Sequence, residues 1–267
     1  MVPNSEINEV HTAHLGDKYP GVAVYLQDPE PNRRRSYEEY VDRFSENPVY
    51  ELNADEEAIT FQSECLLPQN DRGRPKVLLL FSNAHPESIK NGMFHTAEGG
   101  IAALWTDLCC AGLFSGDCRV IASPDELRNH CLNIGYDGPF ALGFACYWLF
   151  PTFDPSHLKA LFGRAMEPPG FDHPKRRIDR LLGEWQPKAV ISFNKKVFEE
   201  FAGARTTGNI IERLRADLVR YNYRVRELAV PIFATYPAGW RFDPNATRLR
   251  QDSLRRIADA IRSDPSG

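Results

Sequence analysis

The residues best placed to do chemistry lie in Lys76-Val-Leu-Leu-Leu-Phe-Ser-Asn-Ala-His-Pro-Glu-Ser-Ile-Lys-Asn-Gly-Met-Phe94, an apolar run that stops abruptly in polar groups able to face a ligand. Val77 to Phe81 is continuous rather than alternating, the pattern of a central parallel strand covered on both faces. In open α/β sheets ligands bind at the carboxyl ends of such strands, so topology alone places Asn83, His85 and Phe94 at a candidate site. His85 can donate a hydrogen bond there or stay solvated. Phe94 offers a face for stacking or a ring for the core. Ser82, Asn83 and Pro86 are equally ordinary turn residues. Other chemistries lack their motifs. Neither a Gly-rich phosphate loop nor a Gly-x-Ser-x-Gly elbow is present, which puts a small-molecule hydrolase on a flavodoxin-like sheet last. The cysteines at 65, 109, 110, 118, 131 and 146 form no CxxC pair and have no histidine at zinc-ligand spacing. No metal or cofactor is expected, and the cysteines read as buried free thiols.

The elements that must position these residues alternate along the chain. Ala58 to Phe61 suggests an edge strand and Tyr37 to Phe44 a short helix. Ile101, Leu104, Trp105, Leu108 and Cys109 keep helical spacing up to Gly112, which favours Trp105 as core. Ser123-Pro-Asp-Glu126 has the N-cap, first-turn proline and third-position glutamate of a helix start. Gly143 to Leu149 reads as a second strand, and helices follow around Leu158–Ala165 and Ile178–Trp185. Lys188 to Phe193 is a third strand, Ile210 to Val225 a long amphipathic helix, Val230 to Thr235 a fourth strand, and Arg248 to Arg262 a terminal helix. This alternation predicts an α/β domain on a parallel sheet of four main strands. Residues 1–35, with two prolines and three consecutive arginines between Asp28 and Arg35, read as a flexible or loosely packed arm ahead of a domain over 36–267.

The net charge of −4, from 32 basic and 36 acidic residues, exerts no global pull toward a polyanion or an anionic membrane. The amino terminus lacks a basic segment followed by an apolar core, and no apolar run approaches the roughly 18 residues of a membrane span. A cytoplasmic protein without a membrane partner is expected.

Four strand ends can be read together: Ser82-Asn-Ala-His-Pro86, Leu149-Phe-Pro-Thr152, Asn194-Lys-Lys196 and Thr235-Tyr-Pro-Ala-Gly-Trp240. Their order and flanks resemble the uracil-DNA glycosylase superfamily, nearest its mismatch-specific and single-strand-selective branches, over roughly residues 57 to 262. Phe81-Ser-Asn-Ala-His85 is similar to the family's Gly-Ile-Asn-Pro-Gly motif, with Asn83 at the water-positioning asparagine. Gly92-Met-Phe94 resembles a shortened Gly-x-x-Phe element. Leu104-Trp-Thr-Asp-Leu-Cys-Cys-Ala-Gly-Leu113 resembles the Phe-Trp-x-x-Leu helix that ends in Ala-Gly-Leu. Ala189 to Phe201 resembles the later strand and helix start, and Tyr236-Pro-Ala-Gly-Trp240 takes the place of His-Pro-Ser.

The resemblance implies a three-layer α/β/α sandwich around a four-stranded parallel sheet. It also implies a monofunctional DNA N-glycosylase of base excision repair, acting as a monomer in the bacterial cytosol or nucleoid. Such an enzyme flips a damaged or deaminated base and hydrolyses its glycosidic bond. Asn83 and Tyr236 would be catalytic, Asn83 holding the water and Tyr236 standing in for the family histidine. His85, Phe94, Cys146 and Asn194 would contact the base, with Cys146 where the family often places Asn or Lys. Lys195, Lys196, Trp240 and Arg241 would contact DNA, Trp240 and Phe242 either wedging into the stack or anchoring their own loop. Lys175, Arg176, Arg177, Arg248 and Arg250 flank the expected rim and either meet phosphates or form a solvated face. An uncharged Tyr236 and the changed Cys146 position also fit a second reading: a relative without catalysis that binds nucleic acid or senses a nucleobase.

Overall fold

The computed structural model describes residues 8–14, 49–53, 58–68, 71–97, 100–101, 103–115, 123–132, 138–203, 209–237 and 245–264. In chain order they form β1 (Asn8–His14), β2 (Tyr50–Asn53), β3 (Ala58–Leu66), β4 (Lys76–Asn83), α1 (Pro86–Asn91), β5 (Thr96–Ala97), β6 (Gly100–Ile101), α2 (Ala103–Cys110) and α3 (Pro124–Leu132). Next come β7 (Ala141–Trp148), α4 (Pro155–Phe162), α5 (Pro174–Trp185), β8 (Ala189–Ser192), α6 (Lys195–Ala202), α7 (Ile210–Ala216), β9 (Arg220–Val225), β10 (Leu228–Ala234) and α8 (Ala246–Ser263).

The fold is α/β on a mixed sheet of eight strands, not on a four-stranded parallel one. Its order is β1-β3-β7-β4-β8-β10-β9, with β2 also paired to β3. The neighbours β7–β4, β4–β8 and β8–β10 pair parallel. The pairs β1–β3, β2–β3, β3–β7 and β9–β10 are antiparallel. The continuous apolar runs of β7 and β8 are buried along their whole length, as parallel strands covered on both faces must be.

One face of the sheet packs Leu78, Leu80, Tyr147 and Val190 against α4, α5, α6 and α7. The other packs Val77, Leu79, Phe144 and Ile191 against α1, α2, α3 and α8. Among the described residues no helix is long and apolar enough to cross a membrane.

Several expectations need correction. β3 runs to Leu66 and lies inside the sheet, not at its edge. The long helix over Ile210–Val225 is instead α7 followed by β9: from Arg220 the exposure alternates residue by residue, and Arg226-Glu227 turns the strand back into β10. The switch from period 3.6 to period 2 falls within one amphipathic stretch with no glycine or proline to mark it, which hides it from a helical template. Asn8–His14, inside the expected arm, is a strand paired along β3, while the rest of 1–35 and the Tyr37–Phe44 helix lie outside the described residues. Cys109 is in a disulfide, Cys110 is exposed and Cys65 only partly buried; among the described residues Cys131 and Cys146 are the buried free thiols.

Candidate functional site

A cavity of about 400 Å³ opens at the carboxyl ends of the parallel strands, within the about 300–1,000 Å³ common for small-ligand sites. The chain leaves β4 for β7 on one side and returns to β8 on the other, so the strand order reverses beside β4. In α/β sheets ligands bind at that reversal. A broader depression of about 920 Å³ lies at the opposite rim, around Lys76 and Lys188 at the strands' amino ends.

Sheet register builds the floor of the cavity. Phe81 pairs with Cys146, and Cys65 with Ala145, which carries the same row on to Glu64. On the other side Leu80 pairs with Ser192, and the next residue, Phe193, stacks on Phe81 at 4.9 Å between centroids and 17°. Glu64, Cys146, Phe81 and Phe193 thus form one line across four strands, and all four line the cavity. Phe94 and His95 add to the wall, the His95 ring 4.4 Å from Phe81.

Asn83 ends β4 and ties two strand ends together. Its Nδ2 donates to the Thr152 carbonyl at 2.7 Å, to Thr152 Oγ1 at 3.0 Å and to the Ala84 carbonyl at 2.9 Å. Its Oδ1 accepts from Ser82 Oγ at 3.0 Å. An amide oxygen has two lone pairs, so one acceptor position remains on a group whose orientation is fixed. This reach across to the segment after β7 is more than a local turn would supply.

His85 precedes α1 at the N-cap position, and its ring packs edge-on against Phe153 at 5.1 Å. Phe94 is 2 % exposed; its ring packs on Phe81 and Phe144 and its carbonyl accepts from Trp105 Nε1. It is therefore both core and cavity wall. Cys146 is buried, and burial above all pushes its thiol well up, so it stays protonated. Asn194 caps α6, its Oδ1 accepting from the backbone N–H groups of Lys196 and Val197 at 2.9 and 3.3 Å.

Lys195 and Lys196 open α6 and are exposed, Lys195 lying 3.6 Å from Glu199. Two cations in a first helical turn oppose the helix dipole, an arrangement that an external anion would relieve.

Tyr236 is not brought to the cavity. Residues after β10 keep alternating faces: Thr235 bonds Ser253 of α8, and Tyr236 follows Ala234 into the core under α4–α7, fully buried. One residue of parity thus removes it from the floor where Phe81 and Phe193 lie. Its neighbour Pro237 lines the cavity instead. Trp240, Arg241 and Phe242 lie outside the described residues. Two of the expected rim cations are internal: Arg250 pairs with buried Asp107, and Arg177 with Glu167 and the Tyr147 carbonyl.

Glu64 and His95 are among the cavity residues that the sequence reading did not single out. Glu64 is 2 % exposed; burial raises its carboxyl well above the usual range, against a lowering hydrogen bond from the His85 backbone N–H. A strand read only to Phe61 stops short of it, and alternation from Ile59 and Phe61 puts Glu64 on the opposite face, which is covered because β3 runs on beside β7. His95 is pushed down to about 3 by burial, with His85 and Arg250 adding to the effect, and is a neutral imidazole. It sits in left-handed backbone, φ 51°.

Set against known proteins, the chain matches no family model and no curated sequence.

Proposed function

We propose that the chain is a monofunctional N-glycosylase of the uracil-DNA glycosylase kind, which draws a damaged or deaminated base, uracil or a related lesion, out of DNA and hydrolyses its glycosidic bond to leave an abasic site. The observation that carries this reading is Asn83: a fixed amide with a spare acceptor position, on an aromatic-walled cavity at the reversal of strand order. Helices on both faces of four central parallel strands support the finer fold reading, a three-layer α/β/α sandwich of that family.

Breaking the bond gathers positive charge on the sugar and negative charge on the leaving base. The Asn83 carbonyl oxygen can hold the attacking water but takes its proton poorly, so the rate depends on how well the departing base is stabilised. Phe81, Phe94 and Phe193 provide apolar faces of the kind that hold an extruded base. Lys195 and Lys196 stand beside the cavity-lining Asn194, where a DNA phosphate would meet them.

The burial of Tyr236 on the other face favours a second reading, a nucleobase-binding relative without turnover. A single-turnover assay separates the two. Excess protein is mixed with labelled single- and double-stranded oligonucleotides carrying uracil, hypoxanthine, xanthine or 5-hydroxymethyluracil, and alkali reveals abasic sites. Cleavage that falls by about a hundredfold or more in Asn83→Ala supports the glycosylase. DNA retained at low salt without cleavage on any substrate selects the binding protein.

A further inference from the structure

Glu64 is the buried acid of the cavity, the other lining acid, Asp154, being an exposed helix cap, and nothing in the reaction described so far uses it. It stands at the end of the row Phe193–Phe81–Cys146–Glu64, on the antiparallel strand β3 outside the parallel core. Its side chain is almost wholly buried, and its Oε1 has no hydrogen-bond partner among the described residues. An unpartnered carboxyl oxygen in a protein interior costs about 1–3 kcal/mol, and such a cost persists where a ligand supplies the missing partner.

We propose that Glu64, as a neutral acid, donates a hydrogen bond from Oε1 to the keto oxygen of a base held in the cavity, and so reads the base and steadies it as it leaves. The inference rests on the glycosylase reading for the leaving step, though the contact to a keto oxygen stands on the cavity itself. Burial raises the carboxyl well above the usual range and so favours the protonated form that can donate. A protonated carboxyl in an apolar site is a known way to stabilise an oxyanion.

The base class follows from the donor. Deamination replaces an exocyclic amino group by a keto oxygen, turning cytosine into uracil and adenine into hypoxanthine. An O–H donor pairs with the keto oxygen and meets only N–H donors on the parent amino group. The other polar demand on the carboxyl is the His85 N–H, so Oε1 is the position left for the ligand. The contact therefore favours a keto oxygen over an amino group at that position, uracil over cytosine and hypoxanthine over adenine.

In the reaction the C1′–N bond breaks with its electron pair leaving on the base, and a water oxygen forms the new C1′–O bond. The water's proton passes to solvent, and the base takes a proton from solvent on release. Glu64 keeps its own proton and holds the oxygen on which the negative charge gathers.

The test uses the whole chain, Glu64→Leu and Glu64→Gln, with Glu64→Met replacing the leucine variant should that one fail to fold. Two readouts run in parallel: single-turnover cleavage of uracil- and hypoxanthine-bearing oligonucleotides, and calorimetric binding of free uracil and hypoxanthine against cytosine and adenine. Glu64→Leu is expected to slow cleavage by about a hundredfold, the effect of losing one donor to a developing anion. It should also abolish the preference for keto bases. Glu64→Gln, which keeps a neutral N–H donor, should retain cleavage to within about tenfold.

Cleavage and keto preference unchanged in Glu64→Leu overturn the role of Glu64 and leave the glycosylase standing. Keto-selective binding that needs Glu64, without cleavage by any form, supports the contact and overturns the glycosylase. Neither cleavage nor base binding by the unaltered chain overturns both.

Discussion

At Glu64 the cost of burying a carboxyl and its chemical use are the same quantity read in two ways. Its pKa is raised in the folded chain from the usual 4.5, so between 4.5 and the raised value the unfolded chain releases this proton while the folded chain keeps it. Folding stability from this group is therefore complete below pH 4.5 and declines as pH rises toward the folded pKa. Glu64→Gln has no such proton. The difference in stability between Glu64→Gln and the unaltered chain should thus move in the variant's favour as pH rises from 4 to 8, measured by urea denaturation at each pH. A flat difference would mean that the acid is ionised in the fold. His95, held neutral by burial, is common to both proteins and cancels in the comparison; Cys146, which Glu64 helps to push up, stays a protonated thiol across this range in both. Asn83 was legible because it ends an apolar run. Glu64 was not, because the residues that continue its strand, Gln62, Ser63, Glu64 and Cys65, are small or polar and carry no strong signal of where it stops.

Elements hold the cavity's walls through one buried ion pair. Asp107 of α2 accepts from Arg250 of α8 at 2.5 Å and from Gln251 Nε2 at 2.8 Å, and Arg250 Nη1 donates to the Pro237 carbonyl at 3.3 Å. The pair thus joins two helices and fixes the segment after β10 that lines the cavity. Removing one partner strands a buried charge, so Asp107→Ala should cost about 3–5 kcal/mol in denaturant unfolding. Asp107→Leu combined with Arg250→Met should recover most of that loss, because apolar groups of similar size replace a buried pair at little net cost. A double variant as unstable as Asp107→Ala would show that the Pro237 contact, not the charge pairing, dominates. Sequence periodicity places α2 and α8 correctly, and its helix start at Ser123 is realised as Ser123 Oγ accepting from the Glu126 N–H at 3.2 Å. It could not show that Arg250 faces inward, since a single arginine on a basic helix looks like its exposed neighbours.

For the molecule as a whole the net charge is −4, so any attraction to DNA must be local. Lys195 and Lys196 are exposed cations at the start of α6, next in the chain to the cavity-lining Asn194. If both meet phosphates, replacing both with alanine should flatten the dependence of log affinity on log salt by about 1–2, each phosphate contact contributing about 0.7–0.9. The measurement is a salt titration of oligonucleotide binding, and an unchanged slope would remove these lysines from the interface. The eight-stranded sheet bears on the same question. β1, β2 and β3 extend the parallel centre on the side of β7, and only that extension brings an acid, Glu64, into line with the aromatic floor.

The sequence by itself determined the apolar parallel strands, most helix positions and the candidate Asn83, because these depend on local pattern: continuous runs, 3.6-residue spacing and capping residues. Tertiary structure alone decided which side chains share the cavity. Cys146 lies near the end of β7 and Tyr236 just beyond β10, yet alternation across the pleat sends Tyr236 to one core and Cys146 to the other. Glu64 and Phe193 are 129 positions apart and meet one line of the sheet only through the pairing of β3, β7, β4 and β8. Register and strand order are long-range choices, fixed by how whole faces bury one another, and no local window contains them.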